Sequence, residues 1–244
     1  MLKLLLPLLA ALATSLPALA QEPQPALPPE GARIYASWHA PHGQPRATHS
    51  VQKSCRDSAV VDTLHLTFDP GRACSTFVAV TAWVWVRAVA GDSLCQPWAL
   101  PRGTGLPRGI RFEFGGSPGA PFPWESPGLG HYAYLRQGRM ASQLKILYAV
   151  PPGAAARVEA GRQYGMARLL VSYPGPEAFG CEQPICIEWI EAALAYSVED
   201  EPTVSEGVRY AGLNSVATRH GCSSPTQTAP SENKKKGKTA DTRR

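Results

Sequence analysis

Three groups of residues in this chain have types and spacings that could do chemistry. At 91–94 an apolar run ends in Gly-Asp-Ser-Leu, which would present Ser93 as a nucleophile at the end of a strand. His39, His42 and His49 fall in "WHAPHGQPRATH" (38–49), and three imidazoles so close together could hold a metal with an open position. Glu188 and Glu191 flank Trp189. A glycosidase would need two such carboxylates facing one cleft, about 5–10 Å apart. None of the three has its context. The histidine segment contains two prolines and no carboxylate, so exposed loop histidines are expected and no metal site is assigned. Glu188 and Glu191 have opposite strand parity unless a bulge realigns them. The acidic run 199–201 lacks the spacing of a calcium loop.

The strand-then-GDSL text resembles the nucleophile segment of GDSL-type esterases. That resemblance implies an α/β fold, a downstream Gly-x-Asn-Asp segment and a late Asp-x-x-His. Here "GLNS" (212–215) lacks the Asp, and His220 has no Asp three residues before it. A serine without its base is a weak nucleophile. Gly-Asp-Ser is also ordinary turn chemistry at a strand end. A secreted serine esterase using Ser93 is therefore the alternative reading, and a turn is the expected one.

The chain has six tryptophans. Trp83, Trp85 and Trp189 lie in apolar strand runs and are expected in the core. Trp98 and Trp124 lie in a Pro/Gly-rich stretch, where an exposed aromatic could stack on a sugar or anchor a protein partner. These two are the candidate binding residues, and a carbohydrate-binding module is a further alternative.

The elements that must position these residues occupy the middle of the chain. Residues 1–20 read as a secretory signal peptide, with Lys3, a short apolar run and Ala18-Leu19-Ala20 before the cut. The run is shorter than the ~20 residues a spanning helix needs, so no membrane span is expected in the mature chain. Residues 21–31 form a Pro-rich lead-in. The segment 223–244 has no apolar residue larger than Ala, six basic residues and two acidic ones, so a disordered basic tail is expected. With Lys3, this tail accounts for the whole net charge of +5 (6 − 2 + 1). Residues 21–222 are neutral, which argues against a nucleic-acid partner. Secretion or a periplasmic location follows, and no cofactor is expected.

Residues 32–222 are expected to form a single domain. No stretch has apolar residues at helical spacing. Strand patterns recur at 33–39, 60–68, 76–89, 110–114, 142–150, 163–173, 184–197 and 207–213. In 76–89 both faces are apolar, so that strand is expected to be central and covered on both sides. The phase of 184–197 switches near Trp189, which predicts a bulge or bend there. The region 96–130, apart from 110–114, reads as a long irregular loop. About eight strands and no helix predict an all-β antiparallel sandwich, immunoglobulin-like or cohesin-like.

Six cysteines in an exported chain read as disulfides: Cys55, Cys74, Cys95, Cys181, Cys186 and Cys222. Six allow 15 connectivities. Cys181 and Cys186 frame a short Pro-containing loop and are the expected pair. Cys74 with Cys95 is disfavoured by the long strand between them. Cys55 with Cys95 and Cys55 with Cys222 both stay open.

"VVDTLHLTFDP", "FVAVTAWVWV", "SQLKILYAVPP" and "AGRQYGMARLLVSYPG", in that order, resemble the strands of cohesin-type β-sandwich modules of exported bacterial proteins. "CEQPICIEWIEAALAY" resembles a closing strand. The resemblance covers roughly 55–213. It implies a non-catalytic recognition or surface-assembly module, with an unidentified protein or glycan as partner. It carries over no binding residue, and the six cysteines and the 96–130 region depart from the pattern.

Overall fold

The computed structural model describes residues 31–53, 61–94, 98–99, 109–172, 183–197, 203–204, 207–213, 216–218 and 221–223. These residues contain no α-helix, only a 3₁₀ turn at Pro152–Ala154. Among the described residues, no helix is long and apolar enough to cross a membrane.

Two sheets, mostly antiparallel, pack face to face. The smaller contains β1 (Arg33–Trp38), β3 (Val61–Asp69), β5 (Ile110–Phe114), β9 (Tyr164–Ser172) and β12 (Gly207–Val208), in the order β12-β1-β3-β9-β5. The larger contains β2 (Ser50–Val51), β4 (Cys74–Ala88), β6 (Leu129–Arg136), β7 (Ala141–Ala149), β10 (Ile185–Tyr196) and β13 (Tyr210–Leu213), in the order β2-β13-β10-β4-β7-β6. Two short strands extend it: β8 (Ala156–Val158) pairs with β4, and β11 (Thr203–Val204) with β10. A separate hairpin joins β14 (Val216–Thr218) to β15 (Gly221–Ser223). This is the all-β sandwich that the alternating runs predict.

The core lies between the sheets. Ile34, Leu64, Leu66, Phe68 and Leu169 face it from the smaller sheet, and Val80, Val84, Leu144, Ile146, Ile187 and Trp189 from the larger. The predicted bulge is present: the β10–β4 register shifts between Trp189 and Glu191. A second shift sets Ala195 opposite Ala79 but Tyr196 opposite Phe77, leaving Val78 as the extra residue. Because of it, Phe77 turns inward despite sharing parity with Trp83 and Trp85. The strands at 60–68 and 76–89 do not form a hairpin. β3 and β4 belong to different sheets, and the chain crosses the core between them.

Of the region 96–130, residues 109–130 are more ordered than their Pro/Gly content implies. Residues 117–120 close a tight turn, with the Ser117 N–H bonded to the Ala120 carbonyl at 2.8 Å and the reverse bond at 2.9 Å. Gly119, at φ +85 after Pro118, supplies the left-handed residue this turn needs. The arm lies on the outer face of the smaller sheet, and a Cβ on Gly165 would come within 2.7 Å of the Gly116 Cα. Further on, β6 pairs with β7 over its whole length. Its missing alternation hid it: Gly130, His131 and Ala133 interrupt the pattern.

Candidate binding surface

The cysteines settle part of the geometry. Cys186, in β10, is bonded to Cys222, in β15. This overturns the expected Cys181–Cys186 pair, and it removes Cys55–Cys222. A short loop made the local pair plausible, but the β-ladder brings a residue 36 positions away to a Cα–Cα distance of 5.6 Å. Cys55, Cys95 and Cys181 lie outside the described residues. Cys74 is a free thiol.

Neither candidate tryptophan is available to a ligand. Trp98 is wholly buried and Trp124 nearly so. Trp124 stacks on Phe77 (ring centroids 4.9 Å apart) and donates its indole N–H to the Phe77 carbonyl at 3.0 Å. The Trp98 carbonyl accepts the Tyr134 hydroxyl at 2.9 Å. Burial holds the Tyr134 phenol far above its ordinary pKa, so the hydroxyl remains a donor. Trp98 and Trp124 of the Pro/Gly-rich stretch thus pack into the core, where each contributes a large apolar area.

The aromatic surface lies elsewhere, on the outer face of the larger sheet. Trp83 and Trp85, two apart in β4, are half-buried there rather than in the core. Strand geometry spaces them about 6.8 Å apart on one face. β4 is central as expected, but only its inner side is covered by the other sheet. Lys145 sits over the Trp83 ring (5.4 Å to the centroid) and Arg87 over the Trp85 ring (5.3 Å). Arg87 also pairs with Glu188, which accepts the Tyr210 hydroxyl at 3.1 Å. The indole N–H of Trp85 has no hydrogen-bond partner among the described residues.

The β10 bulge matters to this face. It sets Glu191 opposite Trp83 and Glu188 opposite Trp85, so the two glutamates share a face after all. They flank the tryptophans on an open sheet, and Glu188 is held by Arg87 and Tyr210. On the other side, Trp85 is level with Gln143 and Leu135, and Trp83 with Lys145 and Ala133. Leu135 is 48% exposed and Leu129 71%. β6 has no strand on its far side among the described residues. Polar Gln143 and Lys145 alternate with buried Leu144 and Ile146 in the sequence. Since they pair with the tryptophans, this alternation was the available sign that Trp83 and Trp85 face outward.

Ser93 lies exposed in the turn after β4, and its carbonyl accepts the Gln183 amide at 2.6 Å. No histidine hydrogen-bonds it among the described residues. His220 lies outside them. The buried His65 instead receives a different serine, with Nδ1 and the Ser117 Oγ 2.9 Å apart. Burial, reinforced by Arg168, lowers the His65 pKa to about 4. A neutral imidazole accepts the hydroxyl proton well, but one this weakly basic is a poor general base at neutral pH. The Ser117 backbone N–H is taken by Ala120. The pair ties the arm to β3.

The three loop histidines separate. His39 turns to Asp62 (3.7 Å), a fully buried carboxylate that also pairs with Lys53 at 3.1 Å. His42 and His49 stay together, 3.2 Å apart through Nδ1 and Nε2. Among the described residues no group of three or more His, Cys, Asp or Glu is arranged to hold a metal. The chain matches no known family model, and a comparison with curated proteins also finds no match.

Proposed function

We propose that the protein is an exported, non-catalytic module that binds a protein partner through the outer face of its larger sheet. The observation that carries this is the outer face of the larger sheet, where the half-buried Trp83 and Trp85 lie beside polar Gln143 and Lys145 and, beyond these, the exposed Leu135 and Leu129. Exposed apolar patches rimmed by polar groups mark interaction sites. Trp, Tyr and Arg are also the residues that dominate binding energy at protein interfaces, and this face presents Trp83, Trp85 and Arg87 within a rim of Lys145, Glu188 and Glu191. β6 adds an edge that no described strand pairs with and that can donate and accept main-chain hydrogen bonds. The signal-peptide pattern and the Cys186–Cys222 bridge support export. The cohesin-like order of strands supports recognition over catalysis.

The test is site-specific photocrosslinking from position 135 in the exported protein fraction, followed by binding of the captured protein in purified form. Leu135→Glu and Trp83→Ala should each weaken that binding by about tenfold or more, equivalent to at least 1.4 kcal/mol, with unchanged circular dichroism. Binding unaffected by both substitutions would remove the face from the proposal. Two indoles side by side on a flat sheet also suit a sugar. Glycan binding lost with Trp83→Ala and Trp85→Ala would put a saccharide in place of the protein partner.

A further inference from the structure

His42 and His49 are arranged as a pair of metal ligands would be. The Nδ1 of His49 lies 3.0 Å from the Ala36 carbonyl. A carbonyl only accepts, so Nδ1 carries the His49 proton and Nε2 is bare. That bare Nε2 lies 3.2 Å from Nδ1 of His42, so the proton between the rings belongs to His42. In the neutral ring the Nε2 of His42 is then bare as well. Tyr35 stacks on His42 with centroids 4.7 Å apart and planes 9° apart, which fixes the ring's plane. Each ring in this form offers one bare nitrogen, as metal ligation requires.

The separation of the two nitrogens is informative. Two imidazole nitrogens on a tetrahedral ion with metal–nitrogen bonds of about 2.0–2.1 Å stand about 3.3–3.4 Å apart. The observed 3.2 Å is close to that edge. An ion at this site would take the place of the proton between the rings. The His49 Nδ1–H bond to a backbone carbonyl is the outer contact that metal-bound histidines usually make.

We infer that His42 and His49 form a two-imidazole site for a borderline divalent transition ion such as zinc, with water completing the coordination. On binding, the His42 proton leaves Nδ1 and reappears on Nε2 of the same ring. Starting from two neutral rings, the step releases no net proton. With two protein ligands, binding is weaker than at a closed four-ligand site.

The test uses the mature chain and zinc alone, by titration calorimetry and by NMR of the imidazole nitrogens. The expected result is one ion per chain, with shifts at His42 Nδ1 and His49 Nε2. His42→Phe, which can keep the stack on Tyr35, should abolish both heat and shifts, and His131→Ala on β6 should change neither. Absence of binding in excess zinc would overturn the inference, and so would binding that survives His42→Phe. If His49→Ala fails to fold, the His42→Phe arm and the NMR shifts still decide the question.

Discussion

Removing the Cys186–Cys222 bridge tests whether the sequence-distant closure carries stability. The perturbation is the double substitution Cys186→Ala, Cys222→Ala, which leaves the other cysteines untouched, as a reductant would not. The bridge closes a loop with a sequence separation of 36. In the chain-entropy model a cross-link of that span raises the unfolded state by about 3.8 kcal/mol at 25 °C. On the folded side little is lost, because β10 keeps its ladders to β4 and β13. With a urea dependence of about 2 kcal/mol/M, the unfolding midpoint should fall by nearly ~2 M. The slope itself should rise, since the uncrosslinked chain exposes more surface when unfolded. Hydrogen exchange should quicken most in β14 and β15, which without the bridge are held to the sheet by contacts such as the Ala217 N–H on the Ser50 hydroxyl at 2.9 Å. A loss below about 1 kcal/mol, with the bridge confirmed in the parent chain by non-reducing peptide mapping, would refute the entropic argument. A map joining Cys186 to Cys181 would refute the pairing itself.

Three further outcomes are expected. His65 has a folded pKa of about 4 against about 6.5 unfolded, so between those values the unfolded chain holds more protons. Stability should therefore rise with pH across that window and be lost as pH falls through it, by at most about 3 kcal/mol from this residue; His42 acts in the same direction, and unfolding curves of His65→Gln should be correspondingly flatter. Gly165→Ala should cost about 1–3 kcal/mol in thermal or urea denaturation, because its Cβ would meet backbone at 2.7 Å and 2.9 Å, whereas Gly153→Ala, with nothing within 4 Å, should be nearly neutral. Asp62→Ala should destabilise by about 1–3 kcal/mol, since it removes the buried carboxylate that Lys53 pairs with at 3.1 Å; an unchanged melting temperature would show that the ion pair contributes nothing.

The strands that alternate cleanly were legible. Leu64, Leu66 and Phe68 share the inner face of β3 as their spacing implies, and the bulge at Trp189 was visible as a change of phase. Features that depend on distant pairing were not. Trp83 and Trp85 are as apolar as Val84 and Val86, and only their β7 neighbours Gln143 and Lys145 distinguish the wet face from the dry one. Trp98 and Trp124 sit among prolines and glycines, which imply exposure locally. Their burial depends on Phe77 and Tyr134, which come from elsewhere in the chain. Cys222 meets Cys186 only because β13 and the following hairpin return alongside β10. The His42–His49 pair was close in sequence, but its alignment depends on the Ala36 carbonyl and the Tyr35 ring, both in β1.

The bridge also decides how mechanical load would enter the molecule. A pull on the chain beyond Cys222 does not first peel away β15, β14 and β13 one after another. The covalent link at Cys222 passes tension to Cys186, at the start of β10, which is clamped between β4 and β13. Loading there sets whole ladders in shear instead of opening them bond by bond. A module tethered through its C-terminal segment would hold its shape under traction until that ladder failed as a unit.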